Sequence, residues 1–245
     1  MSIKLFILGR PGSGKSTACR SVEKFLRQQE QYKGWSIIHY KDYKILYEMF
    51  WYEKLFPNPR KPKQFEATTD FDGFDVLDFT VLDTALVNLE KKARERTTDQ
   101  KDELIIIEFA RQDYQHAFKQ FSSSFLKDSY FLFIEADVAT CIERVKERSI
   151  NPATEDDFFV SDFIITEYYG KQIIPTVIKT KKGDSIDKNR VKMINSKGTL
   201  DSFKRKIKHF IQDIIKQETE LTQSQVARKV PDPEVLTPLL EPLHY

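Results

Sequence analysis

Apolar residues fall into two arrangements along this chain: short continuous runs, and longer segments in which they recur every three or four positions. Ile3, Leu5, Phe6, Ile7 and Leu8 make the first run, as a buried strand would. Ala18, Val22, Phe25 and Leu26 then fall at i, i+4, i+7 and i+8, one face of a helix. Further strands are predicted at Trp35–Tyr40, Leu104–Ile107, Ser129–Ile134 and Arg190–Asn195. Helical spacing recurs through Tyr43, Tyr47, Phe50 and Trp51, which share one face and read as core or pocket wall. It returns in Leu82, Leu86, Leu89 and Ala93, in Val138, Cys141, Ile142 and Val145, within Asp162–Gly170, and from Phe203 to Ile215. Gln172–Ile178 reads as a short strand or a connection, and the charged stretch Lys179–Asn189 as exposed. The alternation predicts one large α/β domain.

The junction between the first strand and the first helix carries the most specific chemistry. Gly9-Arg10-Pro11-Gly12-Ser13-Gly14-Lys15-Ser16, followed by Thr17, fits G-x-x-x-x-G-K-[ST] without a mismatch. Glycines here let the main chain approach an anion, and the loop N–H groups point at it from the positive end of the next helix. Lys15 can reach the β- and γ-phosphates of a nucleotide, and the Ser16 hydroxyl can join the shell of a Mg²⁺ ion. The chain is therefore expected to bind a nucleoside triphosphate.

Carboxylates at the ends of predicted strands extend the site. Asp42 follows the second strand, on the sheet edge where α/β proteins bind ligands. It could take a proton from a substrate hydroxyl or bind Mg²⁺ through water, or it could cap the helix starting near Tyr43. Glu108 ends the most apolar strand; a buried carboxylate needs a cation or donors, and a metal-linked role answers that. Arg111, three residues on, could contact substrate or phosphate, or pair with an acid. Arg144 and Arg148 lie four apart on one helix. Asn151-Pro152 breaks that helix, and the polar stretch after it is consistent with a mobile flap, about residues 149–160. Asp70, Asp72 and Asp75 are spaced somewhat like a calcium loop but lack its glycine and distal glutamate, so that reading is rejected. The loop cations Arg60, Lys61 and Lys63 could meet an acidic substrate or a nucleic-acid backbone, or simply be solvated.

Bulk properties exclude more than they add. With 39 Lys and Arg against 37 Asp and Glu, the net charge of +2 gives no global reason to expect a nucleic-acid or membrane surface. Cys19 and Cys141 have no metal-ligand or redox spacing and read as core residues in a reducing compartment. No run approaches the roughly 18 apolar residues needed to span a bilayer. A soluble, cytoplasmic protein is expected. From about Glu218 the composition shifts, and Pro231, Pro233, Pro238 and Pro242 forbid a single helix to the end. Residues 218–245 are read as an extension that wraps back, docks on a partner subunit as in a homodimer, or stays loose.

Taken in order, these parts resemble the P-loop kinases related to adenylate, uridine, shikimate and polynucleotide kinases. The resemblance covers about residues 1–215. It rests on Gly9–Thr17, on Asp42, on Glu108-Phe109-Ala110-Arg111, on Arg144-x-x-x-Arg148 before a flap, and on the turn Asn195–Gly198. It implies a three-layer fold over residues 1–217, with a five-stranded parallel sheet in the order 2-3-1-4-5. It also implies transfer of the ATP γ-phosphate with Mg²⁺. Gly9, Pro11, Gly12, Ser13, Gly14, Lys15, Ser16 and Thr17 would then hold the phosphates, and Ser16 and Glu108 the metal. Asp42 would orient or deprotonate the acceptor. Arg144 and Arg148 would close over the triphosphate, with Asn195 and Gly198 near adenine. The acceptor would lie against residues 43–80 and Arg111. This chain has no signature for a nucleoside monophosphate, Glu108 is followed by Phe109-Ala110 where a glycine is expected, and Phe71–Leu77 lacks the His and Pro of the uridine-kinase region it faintly matches. A hydroxyl on a small molecule or nucleoside is the expected acceptor, with a nucleotide or nucleic-acid end, or a nucleotide-dependent assembly role, as the alternatives.

Overall fold

The computed structural model describes residues 2–69, 71, 73–96, 102–152, 154 and 157–229. Its strands are β1 (Ser2–Leu8), β2 (Ser36–Lys41), β3 (Phe65–Ala67), β4 (Phe74–Val76), β5 (Glu103–Phe109), β6 (Ser129–Glu135) and β7 (Val191–Asn195). Its helices are α1 (Lys15–Arg27), α2 (Asp42–Leu55), α3 (Thr80–Arg96), α4 (Tyr114–Phe118), α5 (Ser123–Leu126), α6 (Val138–Ile150), α7 (Asp162–Glu167) and α8 (Leu200–Lys229). Five strands form one sheet ordered β2-β5-β1-β6-β7, all neighbours parallel. Numbered among themselves along the chain, they run 2-3-1-4-5, as the resemblance implied.

The central strands are apolar on both sides, and their two-residue period sorts side chains between two layers. From β1, Phe6 and Leu8 join Ile105, Ile107 and Phe109 of β5 and Phe131 and Phe133 of β6, packed under α2 to α5. Ile3, Leu5 and Ile7 join Leu104, Ile106, Tyr130, Leu132 and Ile134, packed under α1 and α8. The first layer is an aromatic cluster. Phe6 stacks on Phe131 at 4.9 Å between ring centroids and meets Phe109, Phe118, Phe121 and Phe125 edge-on. Pairs of this geometry add to simple burial.

Several local expectations change. In α2 the buried face is Asp42, Ile45, Leu46 and Phe50, while Tyr47 and Trp51 are exposed. The face seen in the aromatics alone is rotated from the true one, because Ile45 and Leu46 pack toward the sheet. A hairpin, β3 with β4, follows the proline-lysine loop, and α4 and α5 fill the segment before β6; neither was foreseen. Gln172–Ile178 is a connection: Ile173 bridges to Asp113, Ile174 packs against the aromatic layer and Ile178 is buried in it. Within the stretch read as exposed, Thr180 and Ile186 are buried. The last helix does not stop near residue 217 but runs to Lys229. Residues 230–245 lie outside the described residues, as do Asp70 and Asp72. Among the described residues, no helix is long and apolar enough to cross a membrane.

Candidate functional site

Strand register brings the candidate chemistry to one edge. Ile7 sits beside Glu108, Glu108 beside Lys41, and Leu8 beside Phe109 and Phe133. The loop after β1, Asp42 after β2 and Glu108 in β5 therefore emerge side by side. They open on a cavity of about 650 Å³.

The loop is built as the glycines require. Gly9, Gly12 and Gly14 have φ of 151°, 76° and 109°, in the region L side chains avoid. At Gly12 a Cβ would also lie 2.3 Å from the Cys141 carbonyl oxygen on α6. Arg10 ties the loop down, donating to the carbonyls of Tyr169 at 2.8 Å and Ala136 at 3.0 Å. Lys15 Nζ donates to the Arg10 carbonyl at 3.0 Å. Burial lowers the Lys15 pKa, opposed by the carboxylates of Glu108 and Asp42. Ser13 Oγ is buried without a hydrogen-bond partner among the described residues.

Ser16, in the first turn of α1, donates to Glu108 Oε1 at 3.4 Å. The other oxygen, Oε2, lies 3.0 Å from His39 Nε2 and 3.5 Å from the Cys19 thiol. Burial alone would raise the Glu108 pKa. The His39 hydrogen bond and the Lys15 ammonium outweigh it and hold the value down to about 2. An ionised carboxylate beside a serine hydroxyl and a lysine suits a hard, oxygen-seeking divalent cation, so the donor set fits Mg²⁺.

Asp42 is the first residue of α2; Lys41 holds the capping position. Its carboxylate is ion-paired with Arg111, both side chains nearly buried. Arg111 also donates to the carbonyls of Ala110 at 2.5 Å and Leu82 at 2.6 Å. Burial pushes the Asp42 carboxyl above its ordinary value, and the guanidinium opposes it. Of the two roles open to Arg111, the structure supports pairing with an acid: Arg111 stands behind Asp42 and does not line the cavity.

Pro11, Gly12, Gly14, Lys15, Ser16, Thr17, Asp42, Glu108, Arg144, Arg148 and Gly198 all line that one cavity. Gly9, Ser13, Arg111 and Asn195 do not. Asn195 Oδ1 accepts from the Lys197 N–H at 2.7 Å and closes its own turn, which leaves Ser196 and Gly198 facing inward. Arg144 spans from the loop to that turn, donating to Gly12 O at 3.4 Å and Ser196 Oγ at 3.0 Å. Arg148 donates to Phe158 O at 3.1 Å and lies against its ring. Phe158 stacks on Tyr43 at 3.4 Å between centroids. Neighbouring Phe159 bridges to Gly73 beside the hairpin. The flap as placed by sequence overlaps the last two residues of α6, Ser149 and Ile150, and Ala153, Glu155 and Asp156 lie outside the described residues; its far end is pinned at the cavity wall. Arg20, Lys41 and Glu147 also line the cavity, and no motif marked them; Phe74, Phe158 and Ser196 line it too, from the acceptor region, the flap and the Asn195–Gly198 turn. Arg60, Lys61 and Lys63 do not line it, and Lys63 pairs with Glu66 at 3.3 Å.

The fold and loop are those of P-loop nucleotide-binding proteins. Residues 5–162 match the family model described as "AAA domain", and the chain belongs to that family. No curated protein matches the sequence. Among solved structures, similarity extends to a gluconokinase from Sinorhizobium meliloti 1021, with 13% identity, 91% of this chain and 97% of that one covered, and a TM-score of 0.51. It extends likewise to Kti12 from Chaetomium thermophilum in complex with ADP-AlF3, with 13% identity, 86% and 97% coverage, and a TM-score of 0.52. At that identity the likeness is one of fold.

Proposed function

We propose that this protein is an ATP- and Mg²⁺-dependent kinase that phosphorylates a hydroxyl on a small molecule or nucleoside. The observation that carries the reading is the placement of Asp42. A phosphate loop alone would serve a switch or an assembly ATPase equally well. Here a pinned carboxylate shares the loop's cavity, and beyond it stands a wall of Tyr43, Leu46, Phe74 and Phe158. That wall suits a compact organic acceptor more than the backbone of a nucleic acid, and the loop cations that could favour a nucleic-acid end lie outside the cavity.

Phosphoryl transfer needs position and positive charge rather than covalent help. Main-chain amides of residues 11–16 and Lys15 would hold the β- and γ-phosphates. Arg144 would span the donor between the loop and the Ser196–Gly198 turn, and Arg148 would lie over the transferred group. Ser16 and Glu108 would hold Mg²⁺, which supplies charge neutralisation when bound. Asp42, raised in pKa by burial, would accept the acceptor's hydroxyl proton, with Arg111 fixing its position. Phe158, stacked on Tyr43, would keep water from the acceptor side. The gluconokinase named above supports this by its fold alone.

The test is ADP release from Mg-ATP across sugars, nucleosides, nucleotides and 5′-hydroxyl oligonucleotides, with Asp42→Asn as comparison. An acceptor that stimulates release at least about a hundredfold over Asp42→Asn, with nucleotide binding intact in the variant, is the expected result. Slow hydrolysis indifferent to every acceptor and to Asp42 would defeat the proposal.

A further inference from the structure

Cys19, His39 and Glu108 meet behind the phosphate loop, where the kinase reading uses only one oxygen of one of them. Cys19 lies three residues after Ser16 on α1, close to one turn along the same helix. His39 is in β2 and Glu108 in the neighbouring β5. Their donor atoms converge: Sγ to Nε2 is 3.5 Å, Sγ to Oε2 3.5 Å, and Nε2 to Oε2 3.0 Å. A tetrahedral zinc with ordinary bonds to these three atom types would set edges of about 3.5, 3.5 and 3.3 Å. The arrangement already matches two edges and needs a few tenths of an ångström on the third.

We propose that Cys19, His39 and Glu108 form a binding site for a thiophilic divalent metal ion, zinc above all. The chemistry selects against magnesium, because a thiol and an imidazole are poor partners for a hard ion that holds its water. Rigid elements supply all three donors, and one coordination position stays open. The ion can enter from the nucleotide cavity, which Glu108 lines; the His39 side chain is 19% exposed. It must displace the thiol proton, so only metals with strong thiolate bonds would occupy the site. Occupancy would commit Glu108 Oε2 to zinc and draw the carboxylate's charge toward it, leaving Oε1 beside Ser16 a poorer ligand for magnesium. The site is therefore inhibitory. Binding stands apart from the kinase reading; only the inhibition rests on it.

The test is a cobalt(II) titration of the full chain without nucleotide, followed by zinc. Expected are a thiolate-to-cobalt charge-transfer band with tetrahedral ligand-field absorption, both displaced by one equivalent of zinc. Cys19→Ala should lose the charge-transfer band and weaken zinc by about a hundredfold or more, since loss of a mere outer-shell partner already costs 10- to 100-fold. It should keep magnesium-nucleotide binding. Cys19→Ser, which keeps the side chain's size, and His39→Gln serve as second variants and should weaken zinc likewise. No charge-transfer band, or a band that survives in Cys19→Ala, overturns the site and identifies the cluster as an ordinary hydrogen-bonded triad. With zinc buffered, nucleotide turnover should fall in the parent chain and hold in Cys19→Ala. Stoichiometric zinc binding with unchanged turnover overturns the inhibitory role.

Discussion

Arg111→Met tests whether the Asp42–Arg111 pair is the support of the acceptor side. The substitution keeps much of the side chain's volume and removes its charge. It strands a carboxylate whose side chain is only 11% exposed and takes a charged donor from the Ala110 and Leu82 carbonyls. Breaking a buried pair from one side costs about 3–5 kcal/mol, a large part of the roughly 5–15 kcal/mol that keeps a domain folded. With a urea slope near 3 kcal/mol/M, the midpoint should fall by about 1–2 M. Replacing both partners, Asp42→Leu with Arg111→Met, should recover most of the loss, because two apolar groups leave no orphaned charge. Urea unfolding of the four proteins gives the cycle directly. Single costs below about 1 kcal/mol, as for an exposed pair, or costs that simply add, would refute the reasoning. Asp42 should also bind its proton more tightly in Arg111→Met, so the acid limb of any transfer activity should move to higher pH.

Four further outcomes follow from the same geometry. Gly12→Ala places a Cβ 2.3 Å from the Cys141 carbonyl oxygen at φ of 76°; it should cost about 1–3 kcal/mol in strain and abolish calorimetric uptake of Mg-ATP. Glu108 has a folded pKa near 2, below its ordinary 4.5, so its contribution is present above pH 4.5 and lost as pH falls toward 2. That contribution is on the order of 3 kcal/mol, and Glu108→Gln should flatten this part of the acid-unfolding curve. Phe158→Ala removes the stack on Tyr43; at about 0.5–1.5 kcal/mol, acceptor KM should rise roughly 2- to 13-fold with nucleotide affinity unchanged. Phe6→Ala, at the centre of five ring contacts, should lower stability by about 3–5 kcal/mol, measured by urea unfolding.

The phosphate loop was legible because every residue in it answers a local demand. Positive φ at Gly9, Gly12 and Gly14 and the junction of strand and helix are properties of adjacent residues. The same holds for β1, β5 and β6, whose apolar runs show their burial directly. Arg144 and Arg148 were site candidates through the resemblance to P-loop kinases, whereas local pattern itself marked Asp42 and Glu108. It could not tell which partner each carboxylate would meet, since Asp42 and Arg111 are 69 positions apart and Glu108 meets Ser16, Cys19 and His39 from two other elements. Those encounters follow from sheet register, a long-range pairing that no window of sequence contains. The rotated face of α2, the hairpin at Phe65–Val76, and the approach of Phe158 to Tyr43 have the same origin: side-chain burial there is set by what packs across the domain, and periodicity within one segment carries no record of it.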